Sequence, residues 1–310
     1  MRWFLSENRV RAVNGALAAP YASAYKTAMT AFLKMHGLGN DFVVFDARNH
    51  ALALDTKSAR AVADRHTGVG CDQVIVIERA RNGADAFMRI FNADGGEVES
   101  CGNAARCVAQ LLMNEEDVGD VRIETAGGPL ACVSAGGGQV TVDMGAPRLD
   151  WREIPMAQAV DTASFVLPVE GFDDKALREA AAVSMGNPHC VLFVADAEKA
   201  PVEKLGAAIE HHAWFPARTN VVFAQKLSDA SLRVRAWERG AGLTLACGTG
   251  ACAAVVAAHR RGLVERKADA LLDGGKLSIE WRDNDDHVLM TGPATLSYRG
   301  EADIAALVRA

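Results

Sequence analysis

Residues 87–107 read FMRIFNADGGEVESCGNAARC, and residues 233–252 read RVRAWERGAGLTLACGTGAC. Each begins with a short strand-like run, passes a glycine turn signal and reaches a Cys-Gly pair at the start of an apolar helical stretch. Cys101 and Cys247 lie 146 residues apart, as do Asn92 and Glu238. Gly39-Asn40 precedes Gly186-Asn187 by 147 residues, and Gln73 precedes Asn220 by the same 147. Four landmarks at nearly one offset mark an internal repeat. Two similar halves, each offering one thiol, predict a site between them that reaches one atom from two opposite faces.

The 310 residues suffice for about two domains of ~150 residues. The repeat divides them into a first half over 31–147, joined by the C-terminal strand 293–310, and a second half over 148–292. Pro147 and the irregular stretch 145–155 form the join. Half the residues are hydrophobic and 23% are charged, the balance of an ordinary globular chain. A net charge of −6 without a long basic run gives no electrostatic support for binding nucleic acid or an anionic membrane. No apolar run approaches the ~20 residues that span a bilayer. Seven cysteines, an odd number with no C-x-x-C pair, favour free thiols in a reducing cytoplasm. The spacings Cys101–Cys107 and Cys247–Cys252 place no two thiols on one helix face, so no metal is expected. Residues 1–30 precede the first landmark and have no counterpart in the second half. They read as a leader, with Met29 opening the folded protein. Asn14, Gly15 and Pro20 interrupt the apolar stretch that a cleaved signal would need.

Short runs rich in Val, Ile or Phe predict strands at Phe42–Asp46, Val74–Glu78, Ala86–Phe91, Val121–Thr125 and Val140–Asp143. The second half gives Cys190–Ala195, Asn220–Ala224, Leu232–Trp237, Leu277–Trp281 and Val288–Thr291. Asp55 or Thr56 caps a helix over Lys57–His66, and Asp173 or Asp174 caps another over Lys175–Val183. Asn103–Asn114 and Thr249–Arg261 differ, because they carry Ala, Val, Leu and Cys on nearly every face. A helix apolar all round is buried. The expected fold is therefore α+β: two pseudo-symmetric halves, each a curved, mostly antiparallel sheet around one central buried helix.

The chemistry follows from the helix starts. Gly102 and Gly248 leave the first helical amides unshielded, and those N–H groups have no intrahelical partner. With the positive end of the helix dipole they favour an anion, so the thiols of Cys101 and Cys247 are expected below their ordinary ~8.5. The amides of Gly102-Asn103 and Gly248-Thr249 could also hold a substrate carboxylate and stabilise enolate-like charge. Most free cysteines are small buried hydrophobes, and Cys107, Cys132, Cys190, Cys252 and Cys71 are read that way. Asn40, Gln73, Asn92, Asn187, Asn220, Glu238 and Arg239 are polar at repeat-related strand ends. Arg239 can grip a carboxylate, Glu238 can accept from an ammonium or a thiol, and His189 can relay a proton near neutral pH. Carboxylate and ammonium together describe an amino-acid ligand.

At these residues the chain closely resembles the diaminopimelate epimerases, which use no cofactor. The matching stretches are Met35–Phe42, Gly68–Gln73, Phe91–Gly95 with Cys101–Asn103, Gly186–His189, Glu238–Gly240 and Ala246–Gly250, in family order. The resemblance implies interconversion of LL- and meso-diaminopimelate for lysine and cell-wall synthesis. It implies that Cys101 and Cys247 are acid/base thiols, one taking the α-proton and the other delivering a proton to the opposite face. By the same resemblance His189 and Glu238 set the protonation of Cys101 and Cys247 respectively. Asn40, Gln73, Asn92, Asn187, Asn220 and Arg239 form the binding shell with the backbone at Gly102-Asn103 and Gly248-Thr249. Family analogy also gives a homodimer. Ala104 departs from the family's usual Gly with little expected harm. Cys71 departs from a usual non-thiol and is expected to add thiol reactivity without a catalytic role.

Proline or hydroxyproline racemases share the fold and both thiols, but need no clamp for a distal carboxylate. Phenazine-pathway isomerases share the fold and lack the thiol pair. A catalytically inactive amino-acid binding protein is the alternative from another class.

Overall fold

The computed structural model describes residues 29–80, 82–169 and 179–309. The first 28 residues of the expected leader lie outside them, and Thr30 already belongs to a strand. The first half contains β1 (Thr30–Gly37), β2 (Asn40–Asp46), α1 (Thr56–Ala63), β3 (Gln73–Glu78), β4 (Ala86–Asn92) and β5 (Glu97–Val98). It continues with α2 (Gly102–Glu116), β6 (Asp120–Thr125), β7 (Gly128–Gly136) and β8 (Gln139–Asp143). The second half contains β9 (Phe165–Val166), β10 (Glu179–Ser184), β11 (Pro188–Phe193), α3 (Val202–Glu210), β12 (Asn220–Ser228) and β13 (Ser231–Glu238). Next come β14 (Gly242–Thr244), α4 (Gly248–Arg260), β15 (Lys267–Leu272), β16 (Gly275–Trp281) and β17 (Val288–Pro293). The chain closes with β18 (Thr295–Ala302) and α5 (Ile304–Arg309).

Pairing repeats between the halves. The parallel pair β2–β3 matches the parallel pair β11–β12, with Phe42 opposite Gln73 in one and His189 opposite Asn220 in the other. The parallel pair β4–β6 matches β13–β15, and the remaining ladders are antiparallel. β8 and β17 pair antiparallel and join the strands of the two halves, among the described residues, into one continuous 18-stranded sheet. β18 returns from the second half to pair with β1, along Thr30–His36. The expected α+β fold with a helix at the centre of each sheet is what the chain adopts.

Each central helix forms because its stretch can be buried on every side. α2 packs Ala104, Ala105, Val108, Ala109 and Leu112 against β1–β4 and β6–β8. α4 packs Ala251–Ala258 against β10–β13 and β15–β17. Ala104 is fully buried within an unbroken helix, so the departure from Gly costs the helix nothing visible. The outer faces of the sheets are covered by α1 in the first half and α3 in the second. Asp55 caps α1 by accepting from the Ser58 N–H at 2.8 Å, as its sequence position predicts.

One expected helix is a strand. Glu179–Val183, the described end of Lys175–Val183, lies in β10, and residues 170–178 lie outside the described part. Local helix preference of the Glu-Ala-Ala-Ala run is overridden by pairing with β9 and β11 and by burial of Ala180–Ser184. Among the described residues no helix is long and apolar enough to cross a membrane.

Candidate active site

The two central helices begin against each other. Cys101 is the N-cap of α2 and Cys247 the N-cap of α4, both with extended backbone and neither side chain capping its helix. Asn103 bridges the starts: its Nδ2 donates to the Asn40 Oδ1 at 3.1 Å and to the Ala246 carbonyl at 3.1 Å. A Cβ on Gly248 would stand 2.9 Å from Met290 Sδ and 3.1 Å from Asn103 Oδ1, while one on Gly102 would stand 2.6 Å from Met290 Cε. Both glycines therefore pack closely against Met290, and the two helix starts meet.

The strand ends bring the other residues to the same place. Asn40 opens β2, Gln73 opens β3 and Asn92 closes β4. Gln73 Nε2 donates to Asn92 Oδ1 at 2.9 Å, and Asn40 Nδ2 donates to Asp72 Oδ2 at 3.0 Å. Asn40 Oδ1 lies 4.0 Å from the Cys101 sulfur. In the second half, Asn187 Oδ1 lies 2.9 Å from His189 Nε2, and Asn187 Nδ2 donates to Thr249 Oγ1 at 3.4 Å. Thr249 Oγ1 is in turn 3.8 Å from the Cys247 sulfur. Asn220 donates to the Pro188 carbonyl at 3.0 Å and accepts the Arg239 N–H at 2.9 Å. The Arg239 guanidinium is exposed and donates to the Ala217 carbonyl at 3.0 Å.

Among the described residues, six buried side-chain polar atoms lack a partner, and Gln73 Oε1, Asn103 Oδ1 and His189 Nδ1 are three of them. Buried polar groups are normally satisfied, and three of the six belong to residues that the sequence analysis named as site candidates.

The electrostatics correct one expectation. Backbone N–H groups of Ala104 and Asn103 do pull the Cys101 thiol down, but burial outweighs them and pushes it up to about 11. Burial also pushes Cys247 well above its ordinary value, and the neighbouring Glu238 carboxylate pushes it further. Glu238 is raised as well, chiefly by burial, while hydrogen bonds with Thr244 and Cys247 oppose the rise. Its charge also reaches Cys101. His189 is fully buried and pushed down to about 3, first by burial and then by the positive charge of Arg239. It is neutral, and its hydrogen-bonded path runs through Asn187 and Thr249 to Cys247 rather than to Cys101. The expected reactivity of Cys71 is not supported: it is 1% exposed and pushed up to about 12 by burial.

Glu210 escaped the sequence reading. It ends α3, is 3% exposed, and accepts from Trp237 Nε1 at 2.8 Å, the Gly240 N–H at 3.0 Å and Arg218 Nη1 at 3.4 Å. It thus brackets Glu238 and Arg239 from both sides. Its place in the sequence carries no motif; only a buried carboxylate gathering donors reveals it.

Comparisons with known proteins give the family. The model of the family described as diaminopimelate epimerase matches residues 32–149 and 181–297. A diaminopimelate epimerase of Rhodospirillum centenum is 54% identical over 271 residues, covering 87% of this chain and 91% of its own. One of Acidiphilium cryptum is 53% identical over 276 residues, covering 89% and 97%. Among solved structures, a hydroxyproline epimerase of Agrobacterium vitis superposes with a TM-score of 0.61 at 17% identity, covering 88% of this chain and 92% of its own. A phenazine biosynthesis protein of Enterococcus faecalis gives 0.63 at 17%, covering 89% and 99%. At that identity these two share the fold alone. With the family model spanning both halves and relatives above 50% identity, this chain belongs to the diaminopimelate epimerase family.

Proposed function

We propose that this protein is a cofactor-independent isomerase that interconverts LL- and meso-diaminopimelate in the cytoplasm, for lysine and cell-wall precursor synthesis. The observation that carries the mechanism is the meeting of two helix starts, each capped by a cysteine and bridged by Asn103. One cysteine, as thiolate, removes the α-proton. The electron pair left on carbon spreads into the adjacent carboxylate, which the N–H groups at Gly102-Asn103 and Gly248-Thr249 stabilise. The other cysteine, as thiol, delivers its proton to the opposite face. The pair ends with its protonation exchanged, ready for the reverse direction.

The thiols need an internal base, because burial holds both well above neutral pH. Glu238, itself raised and hydrogen-bonded with Cys247, is suited to hold that proton. Neutral His189 orients Asn187 and, through it, Thr249. Asn40, Gln73, Asn92, Asn220 and Arg239 read the two ends of the substrate, with Arg239 gripping the distal carboxylate. The unequal pair Asn92 and Glu238-Arg239 at equivalent strand ends favours a substrate with unlike ends over proline. A homodimer completes the proposal, and sedimentation equilibrium tests it.

The deciding experiment is incubation with LL-diaminopimelate or L-proline in deuterium oxide. Solvent deuterium at the α-carbon of diaminopimelate alone is expected. Binding without exchange would mean a binding protein, and exchange into proline would mean a racemase. Cys101→Ser and Cys247→Ala should each abolish epimerisation; near wild-type turnover in either would sink the two-thiol scheme.

A further inference from the structure

Arg106 is fully buried in α2, and no carboxylate pairs with it among the described residues. Its Nε donates to the Pro293 carbonyl at 3.2 Å, its Nη1 meets Met290 Sδ at 3.5 Å, and its Nη2 has no partner. Glycines keep its slot open. A Cβ on Gly37 would stand 2.8 Å from Nη2, and one on Gly292 would stand 3.3 Å from Nε. The same Met290 that touches the guanidinium also touches the backbone at Gly102 and Gly248. The cation therefore lies against Met290, the residue that also packs beside both helix starts.

An unpaired buried charge is strongly unfavourable, and a weakly basic group would escape by losing its proton. Burial pulls the Arg106 guanidinium below its ordinary value, but a guanidinium starts so far above neutral pH that it stays protonated. The ionisable groups facing it are Cys107 and Cys101 of α2 and Cys252 of α4. Cys107 and Cys252 are held neutral, each pushed up to about 12 by burial. Cys101 also faces Glu238 of β13, whose charge opposes its ionisation. The negative charge left to compensate Arg106 is the one generated at the helix starts during proton transfer.

We infer that Arg106 is a positioning residue whose fixed charge, beneath the two helix starts, favours the thiolate and the enolate-like charge of the reaction. This rests on the reading of Cys101 and Cys247 as the proton-transfer pair. A purely structural arginine would tie α2 to β17 through Pro293 and leave the pH dependence of the thiol alone.

The test uses the full-length protein and its R106M, R106Q and R106K variants. Three readouts are taken: thermal melting, α-hydrogen exchange of diaminopimelate in deuterium oxide, and the pH dependence of iodoacetamide labelling mapped to Cys101. R106M is expected to melt no lower than wild type. Its exchange should fall at least about tenfold at neutral pH, and its labelling curve should move up by about one pH unit. R106Q, which keeps an N–H for the Pro293 carbonyl, should behave alike if R106M folds poorly. R106K should retain the wild-type labelling curve. Folded neutral variants with unshifted curves would overturn the inference, and so would a set of variants none of which folds. Activity surviving in Cys101→Ser would instead overturn the thiol reading beneath it.

Discussion

The Asn103 side chain on α2 donates to the carbonyl of Ala246, the residue before Cys247, at 3.1 Å across 143 residues of sequence. One amide thereby fixes the start of one central helix against the start of the other, and its second bond, to Asn40, fixes the first half's strand end.

Asn103→Ala should therefore loosen both halves at once. It strips a buried acceptor at Ala246 of its partner, which costs about 1–3 kcal/mol. We expect a lower melting temperature and an exchange rate reduced at least about tenfold. Wild-type exchange in a destabilised variant would show that the bridge serves stability alone.

Glu210→Ala should act on substrate recognition. The Trp237 indole and the Gly240 N–H would lose their buried acceptor, at a cost of about 2–4 kcal/mol. The turn carrying Arg239 would lose its anchor, so KM for diaminopimelate should rise several-fold while Cys101 labelling keeps its pH dependence. Steady-state kinetics with labelling decides this.

His189 makes an acid-side prediction. Its pKa falls from an ordinary 6.5 to about 3 in the folded protein. A group depressed on folding stabilises above its unfolded value and loses that contribution as pH falls through the window between the two. The loss between pH 6.5 and 3 is at most about 5 kcal/mol. Denaturant unfolding of His189→Gln should show a shallower decline over this window than wild type; parallel curves would remove His189 as the cause.

The thiols make the opposite prediction. Cys71, Cys107, Cys132, Cys190 and Cys252 are each pushed up to about 12 by burial. A raised folded pKa gives stability that is complete below the unfolded value and is lost as pH rises through the folded one. Stability should be insensitive to these groups below about pH 8.5 and decline steadily from there towards pH 12. Native-state alkylation at pH 8 should leave these five unlabelled by mass mapping.

Gly274→Ala tests the contact between halves. A Cβ there would stand 1.9 Å from the Leu38 carbonyl, in the β1–β2 turn of the other half. Backbone must move, so we expect destabilisation of several kcal/mol, on the order of the largest single-substitution effects. Chemical denaturation measures it.

The duplicated landmarks were legible because their signals are local. Glycine turns, a two-residue strand period and helices apolar all round are written in neighbouring residues, and they place Cys101, Cys247 and the polar strand ends. Other elements carry no such mark. α3 begins at Pro201 without a side-chain cap, and β18 exposes most of its residues, so neither shows a clear start or a core face. β10 reads as helix by composition and becomes a strand through its partners.

By itself, then, the sequence determined the two helix starts, through short-range stereochemistry, and the repeat, through landmarks recurring at one offset. Only the tertiary structure decided how those residues are charged and held. A helix start alone lowers a thiol's pKa, but the packing around Cys101 and Cys247 raises both thiols. Only the fold pairs His189 with Asn187 and sets Glu210 against the Glu238-Arg239 turn. Desolvation depends on everything that surrounds a group, and no stretch of neighbouring residues encodes it.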